Sequence, residues 1–247
     1  MEGECVAYIL GKKEFFGLEF LVNPSVLVPR PETELLVEVV IRELGDQGSG
    51  IWDQGENEGQ GLKVLDLCTG SGAVAIALKH EIPILEVWAA DISNEALEVA
   101  KNNATRLLPP DAITFCQGNL YDALLSLTTH GTSLLAHCSQ LLVHNSFSFI
   151  VSNPPYVSTA QISGLSPEVR AEPILALDGG SDGLDLIRII ISQAPKFLCP
   201  GGMLLLEADP GQMKTITTLF QQAGFTEIQI HKGLSGSEQV IGARKAK

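Results

Sequence analysis

Hydrophobic positions along this chain change period several times. Between Leu62 and Lys247, short apolar runs that suit buried strands alternate with longer segments whose apolar residues return every three or four positions, the spacing of one helix face. The runs predict strands over Lys63–Cys68, Glu86–Asp91, Ile113–Gln117, Phe147–Ser152, Met203–Glu207, Thr226–His231 and Gln239–Arg244. The segments between them predict helices over Ala73–Lys79, Asn94–Thr105, Leu184–Leu198 and Gln212–Ala223, the third kinked or shortened by Pro195. Such alternation implies an α/β fold, a mostly parallel sheet covered by helices. Gly201, Gly202 and Gly224 stand where a turn into a strand or a helix C-cap takes φ > 0.

Ahead of that alternation the pattern differs. Met1–Leu44 holds an extended, Pro-punctuated stretch at Asn23-Pro24 and Pro29-Arg30-Pro31, after which Glu32-Thr33-Glu34 leads into Leu35, Leu36, Val39 and Val40. Those apolar residues form one helical face with Pro31 and the acids at its start. Gly45–Gly61 carries six glycines and four acids with no Lys or Arg, a composition that cannot assemble a core. The expected organisation is therefore an N-terminal segment (1–44), a solvated acidic loop (45–61) and a main domain (62–247).

Composition narrows the function classes. With 45% hydrophobic and 18% charged residues in 247, the chain is globular rather than disordered. Lys plus Arg number 16 against 29 Asp plus Glu, a net charge of −13, and no basic stripe interrupts the acidity. A partner gripped through its phosphate backbone is disfavoured, because that grip is built on Lys and Arg displacing counterions. No apolar run approaches the ~20 residues that cross a bilayer. The acidic opening Met1–Cys5 has neither signal-peptide nor transit-peptide character. A cytoplasmic setting is expected, or a mitochondrial or plastid matrix if a leading segment has been removed. Cys5, Cys68, Cys116, Cys138 and Cys199 are odd in number and widely spaced, which suits buried thiols in a reducing compartment and neither a disulfide framework nor a zinc site.

Two short stretches carry chemistry. The first predicted strand runs through Asp66 and Cys68 into Thr69-Gly70-Ser71-Gly72, a small-residue turn that lets a ligand approach backbone amides and a helix N-terminus. Gly70-x-Gly72-x-x-Ala75 also fits a dinucleotide fingerprint, and Asp91 at the end of the second main-domain strand could hold a ribose in either case. Asp66 shifts the balance: a carboxylate facing the turn suits the cationic amino-acid end of S-adenosylmethionine and would repel a pyrophosphate. The second stretch, Asn153-Pro154-Pro155-Tyr156, follows the fourth main-domain strand and so lies beside the turn at the open end of a parallel sheet. Its prolines leave Asn153 in a stiff, extended loop. An amide or exocyclic amine is a poor nucleophile because its lone pair is delocalised. An Asn oxygen and the Pro154 carbonyl can accept its two N–H bonds and turn the lone pair toward an incoming methyl, while Tyr156 can pack on the planar group.

These residues resemble a family. Asn-Pro-Pro-Tyr with the Gly turn resembles the class I methyltransferases that act on planar nitrogens. Tyr8-Ile9-Leu10-Gly11 with Glu14-Phe15, Val28-Pro29-Arg30-Pro31-Glu32-Thr33-Glu34, Glu168-Val169-Arg170, Glu172-Pro173, Ala176-Leu177-Asp178-Gly179-Gly180 and Pro200-Gly201-Gly202 narrow the likeness to the HemK/PrmC protein-glutamine N5-methyltransferases of peptide-chain release factors. The resemblance implies a Rossmann-like doubly wound sheet, mostly parallel with one antiparallel strand near the C-terminus. It implies S-adenosylmethionine as cofactor and a release factor as protein substrate. It places Asp66, Cys68, Thr69, Gly70, Ser71, Gly72, Asp91, Asn119, Leu120 and Asn153 at the cofactor, and Asn153, Pro154, Pro155, Tyr156, Arg30 and Thr33 at the glutamine amide, with Asn153, Pro154 and Tyr156 in catalysis.

The chain departs from the family pattern in three respects. Cys68 stands where the family usually has Gly, Asn119 where it commonly has Asp, and the family's leading helical domain does not appear. An inserted stretch, 123–146, carries His130, His137 and His144 at seven-residue steps, read as an amphipathic segment in preference to a metal site. A nucleic-acid amino-methyltransferase and a methyltransferase-like interaction protein without turnover remain as alternatives.

Overall fold

All seven runs read as strands pair in a single sheet. The structure, a computed structural model, describes residues 5–46, 61–126 and 144–247. Its main sheet has the order β5-β4-β3-β6-β7-β9-β8, formed by β3 (Lys63–Leu67), β4 (Glu86–Asp91), β5 (Ile113–Gln117), β6 (Phe147–Ser152), β7 (Leu198–Glu207), β8 (Phe225–Lys232) and β9 (Glu238–Lys245). β3 to β7 run parallel, and β9 is antiparallel to both β7 and β8. One reversed strand near the C-terminus is what the family resemblance implies.

Period-two alternation sends residues of one strand to opposite faces. Val64, Phe149, Met203 and Leu205 pack beneath α2 (Glu34–Asp46) and α3 (Ala73–Glu81), with α4 (Asn94–Leu107) beside them. Leu65, Leu67, Ile150, Leu204 and Leu206 face the other way, where residues of α5 (Asp122–Ser126), α6 (Asp185–Gln193) and α7 (Met213–Gln222) close a second core. Pro195 ends α6 well short of Leu198: the helix stops at Gln193 and a 3-10 turn, Ala194–Lys196, follows. β7 in turn starts earlier than expected. Gly201, at φ 76, lies inside the strand at a register shift opposite Phe147 and Phe149, so the glycine marks a bulge and not the turn before the strand.

The N-terminal segment contains elements that the hydrophobic pattern does not announce: α1 (Val6–Leu10) and the antiparallel hairpin of β1 (Lys12–Phe15) and β2 (Leu18–Leu21). Four-residue, half-exposed strands leave little periodic signal, and the hairpin is fixed instead by Phe16 and Gly17, both at positive φ. Fully buried Asn103 on α4 locks this segment down: it accepts from the Leu21 amide at 2.7 Å and donates to the Leu21 and Ser71 carbonyls, each at 3.0 Å. The helix expected after Pro31 is α2, preceded by a 3-10 turn at Pro31–Thr33.

Residues 47–60, His130, His137 and Cys138 lie outside the described residues. His144 packs edge-on against Phe197. Cys5, Cys68, Cys116 and Cys199 are free thiols. Among the described residues, no helix is long and apolar enough to cross a membrane and no group of His, Cys, Asp and Glu could hold a metal ion.

Candidate functional site

β3 and β6 are neighbours, but the chain leaves β3 toward β4 and β5 on one side and returns through β6 to β7 on the other. This reversal opens a crevice beyond the carboxyl ends of the strands, the usual ligand position in an open α/β sheet. Both chemistry-bearing stretches face it.

On one side is the turn after β3. Asp66 is buried, and its Oδ2 accepts from the Thr69 hydroxyl at 2.6 Å and the Ala75 amide at 3.3 Å. One carboxylate thus ties the strand to the start of α3. Asp91, at the end of β4, accepts from the Gly70 amide at 2.9 Å through Oδ2 and from the Ser93 amide at 2.9 Å through Oδ1. Burial pushes the Asp66 carboxyl up to about 7, against the hydrogen bonds that favour its charge, and raises Asp91 for the same reason. Cys68 turns the chain at φ 59, a left-handed conformation costly to any residue with a Cβ. Burial raises its thiol well above the ordinary range, so it is a neutral packing group.

Across the crevice is the loop after β6, whose anchors come from far away in sequence. The Ser152 hydroxyl donates to the Leu67 carbonyl at 2.7 Å. Asn153 Nδ2 donates to Thr33 Oγ1 at 3.0 Å. The Tyr156 hydroxyl donates to Glu207 Oε1 at 3.4 Å, and Gln212 Nε2 donates to the Tyr156 carbonyl at 3.0 Å. The Ala176–Gly180 strip runs alongside, Val157 donating to the Leu177 carbonyl at 3.0 Å and Gly179 to the Val157 carbonyl at 2.8 Å. The fit is close: a Cβ on Gly179 would stand 2.7 Å from the Pro155 carbonyl oxygen. Arg30 completes the wall by donating to Glu172 Oε1 at 2.6 Å, which joins the Pro29–Pro31 segment to the loop beyond Tyr156.

The resulting cleft encloses about 1120 Å³ counted out to its open mouth. It brings together Asp66, Cys68, Thr69, Gly70 and Ser71 from the turn, Asp91, Asn119 and Leu120 from the next two strand ends, and Asn153, Pro155, Arg30 and Thr33. Gly72, Pro154 and Tyr156 do not line it. Gly72, at φ 81, packs helices together, since a Cβ there would meet Ala100 Cβ at 3.1 Å. Pro154 is buried, and Tyr156 gives its hydroxyl to Glu207. Glu207, which accepts from Tyr156, is a bracing residue that the sequence reading does not single out, although an acid ending the apolar run Met203–Leu206 is the same signal that marks Asp91; Glu172, which holds Arg30, enters that reading only through the family resemblance.

Electrostatics narrow the ligand. Among the described lining residues Arg30 is the one base, and Glu172 already holds it. A pyrophosphate would face two carboxylates there, whereas a cationic amino-acid end and ribose hydroxyls would find acceptors. Gly70 leaves open space where a Cβ would project, room for a ligand against the backbone. These residues fit an adenosyl cofactor bearing an ammonium group.

Comparison with known proteins gives the site its relatives. A family described as a methyltransferase domain matches residues 64–153. The chain is 37% identical over 242 residues to a release factor glutamine methyltransferase of Geobacter sulfurreducens and 39% identical over 246 residues to one of Bradyrhizobium diazoefficiens, each match spanning 98% of this chain and 73% of the relative. In fold it is similar to the crystal structure of a methyltransferase from Pyrococcus furiosus, with a TM-score of 0.59, 17% identity, and coverage of 98% of this chain and 93% of that one.

Proposed function

This chain belongs to the release factor glutamine methyltransferase family, and from that premise we propose how its site works. It transfers a methyl group from S-adenosylmethionine to the side-chain amide nitrogen of a glutamine in a protein. The substrate we infer is the Gly-Gly-Gln glutamine of a peptide-chain release factor, which puts the chain where translation terminates, in the cytoplasm or an organelle matrix.

The observation that carries this reading is the state of Asn153. Its Nδ2 is committed to Thr33, and among the described residues its Oδ1 meets no donor, so an acceptor is left free in the cleft. An amide N–H donated to that oxygen fixes the plane of the glutamine amide and aims the nitrogen lone pair away from the loop. Position then supplies the rate, because two reactants held in line need no strong base to be activated. The cofactor, when bound, supplies an electrophilic sulfonium methyl. Asp66 and the Cys68–Ser71 backbone would hold its amino-acid end, Asp91 the ribose hydroxyls, and Asn119 with Leu120 the adenine. Arg30, pinned by Glu172, keeps the substrate wall in place beside Thr33.

The test is incubation with methyl-labelled S-adenosylmethionine and a bacterial release factor, intact or with its Gly-Gly-Gln glutamine replaced. Label is expected in the intact factor alone. Equal labelling of both factors, or label entering nucleic acid instead, would overturn the substrate assignment.

A further inference from the structure

The 3-10 turn Ile174–Ala176 puts two large aliphatic side chains into water side by side, Ile174 at 53% exposure and Leu175 at 56%. Single exposed apolar residues are ordinary on a globular protein. This pair differs in where it stands. Leu175 lines the cleft together with Pro173, Ala176, Arg30 and Asn153, whereas Ile174 does not. An apolar strip thus begins inside the cleft and continues over its rim.

The strip is anchored from both ends. The Ala176 amide donates to the Pro173 carbonyl at 2.9 Å, and the Leu177 and Asp178 amides donate to the Ile174 carbonyl at 3.0 and 2.9 Å. Leu177 is buried, and its carbonyl accepts from Val157 in the loop that begins at Asn153. Ahead of the turn, Glu172 is held by Arg30. None of these bonds calls for an aliphatic side chain at 174 or 175. Polar residues there would keep the same backbone and cost less in water, so the exposed pair has a use other than folding.

The cofactor residues belong to the opposite side of the crevice, the turn after β3 and the ends of β4 and β5. What remains to cover the strip is the chain that carries the glutamine, which must cross the rim for its side chain to reach Asn153. We propose that Ile174 and Leu175 form a docking surface for the release-factor segment around the acceptor glutamine, and that they set affinity for the protein substrate while leaving the methyl-transfer step to Asn153. The proposal rests on the reading above that this cleft takes a release-factor glutamine. The two glycines beside that glutamine leave its backbone bare, so a flat aliphatic strip can pack against the main chain itself and remove apolar surface from water without selecting a particular side chain. A nucleic acid is the poorer occupant: the net charge is −13, and Arg30, the base lining the cleft, is already held by Glu172.

The experiment compares the parental chain with I174S, L175S and the double variant, and with L234S as a control that removes an exposed leucine from the turn between β8 and β9. Kinetics use a bacterial release factor with S-adenosylmethionine. Calorimetry of the same factor against protein loaded with S-adenosylhomocysteine gives a readout that needs no turnover. Each single variant is expected to raise KM and the calorimetric Kd for the factor roughly tenfold, the scale of one aliphatic side chain left in water. The double variant should exceed either. For all three, kcat should stay within threefold and cofactor affinity within twofold of parental, and L234S should match the parental chain throughout. A KM within twofold of parental in both single variants, a loss confined to kcat, cofactor affinity weakened as much as factor affinity, or an equal rise of KM in L234S overturns the proposal. If the parental chain binds the factor and the serine variants lose it, yet no glutamine is labelled, the substrate chemistry fails and the docking surface stands. A parental chain that neither labels nor binds the factor overturns both.

Discussion

The turn after β3 and the loop after β6 face the same crevice, yet they are stabilised in opposite ways. The turn is held by groups close in sequence: Asp66 reaches residues three and nine positions away, and Asp91 reaches back 21 to Gly70. The loop is held from a distance, Asn153 by Thr33 at a separation of 120, Tyr156 by Glu207 at 51 and by Gln212 at 56. The first can form as soon as three neighbouring strands align. The second exists only once the N-terminal segment, β7 and the start of α7 are all in place. A cofactor cradle can therefore be built locally and tolerate changes elsewhere, while the amide clamp depends on the whole fold and reports on its integrity.

The largest break between the two sides should come from Asn153→Ala. It removes the free acceptor and leaves the turn untouched, so kcat on a release factor should fall by about 10²- to 10³-fold. Calorimetry should find S-adenosylmethionine affinity largely intact, within a few-fold of parental. A rate near parental would dissociate the loop from catalysis.

Next in size is the strut between the loop and the N-terminal segment. Arg30→Met leaves Glu172 without its partner at 3% exposure. Removing one member of a buried pair costs about 3 to 5 kcal/mol, and because the Arg30 side chain is 32% exposed, solvent reduces this to roughly 2 kcal/mol. Denaturant titration should register that loss, and KM for the release factor should rise while cofactor affinity holds. A variant as stable as the parent would remove the pair from the account of the wall.

This asymmetry also decides what can be read from a sequence. The seven strands are visible as apolar runs, and Asp66, Gly70 and Asp91 are visible as a local spacing, because the interactions that justify them lie within a few residues. Thr33 is reached only through the family resemblance, since nothing in Pro31-Glu32-Thr33 says that it will meet Asn153. Glu207 and Glu172 have no local signature of their partners, and nothing near Tyr156 in sequence announces that β7 supplies the acceptor its hydroxyl takes. Gly201 misleads for a related reason: a positive φ serves a bulge as well as a turn, and only the pairing with β6 distinguishes them.

On the cofactor side the sharper probe is pH. Asp66, raised to about 7 by burial, must ionise to receive an ammonium group. S-adenosylmethionine affinity should fall about tenfold per pH unit below 7 and level off above it. The same shift affects the free protein in the opposite sense. A carboxyl whose folded pKa lies above its unfolded value contributes stability that is fully present below the unfolded pKa and is lost as pH rises through about 7. Asp66→Asn should therefore flatten the cofactor profile and, at pH 8, raise the melting temperature of the cofactor-free chain. Part of the decline between pH 4 and 7 should persist, because Glu207 is shifted the same way. An affinity independent of pH in the parental chain would show that Asp66 braces the turn without meeting the ligand's charge.

The smallest expected effect separates backbone from side chain within the turn itself. Cys68 holds φ 59, a conformation that Gly adopts without strain. A Cβ in that conformation costs about 1 to 2 kcal/mol, and Cys68→Gly relieves it. The same change gives up the thiol's packing against the Leu67 face of the core and adds unfolded-state freedom worth about 0.5 to 1 kcal/mol. The net change should be a gain of no more than about 1 kcal/mol, or roughly 2 to 4 °C in Tm for a chain of this size. Cys68→Ala distinguishes the contributions, because it keeps the strained backbone and discards the thiol, and should lower Tm where the Gly variant raises it. Any change in kcat should be small beside that of Asn153→Ala, since neither variant removes the contact between Asn153 and Thr33. If Gly and Ala lowered Tm equally, packing and not backbone strain would govern this position, and the turn would depend on its side chains as the β6 loop does.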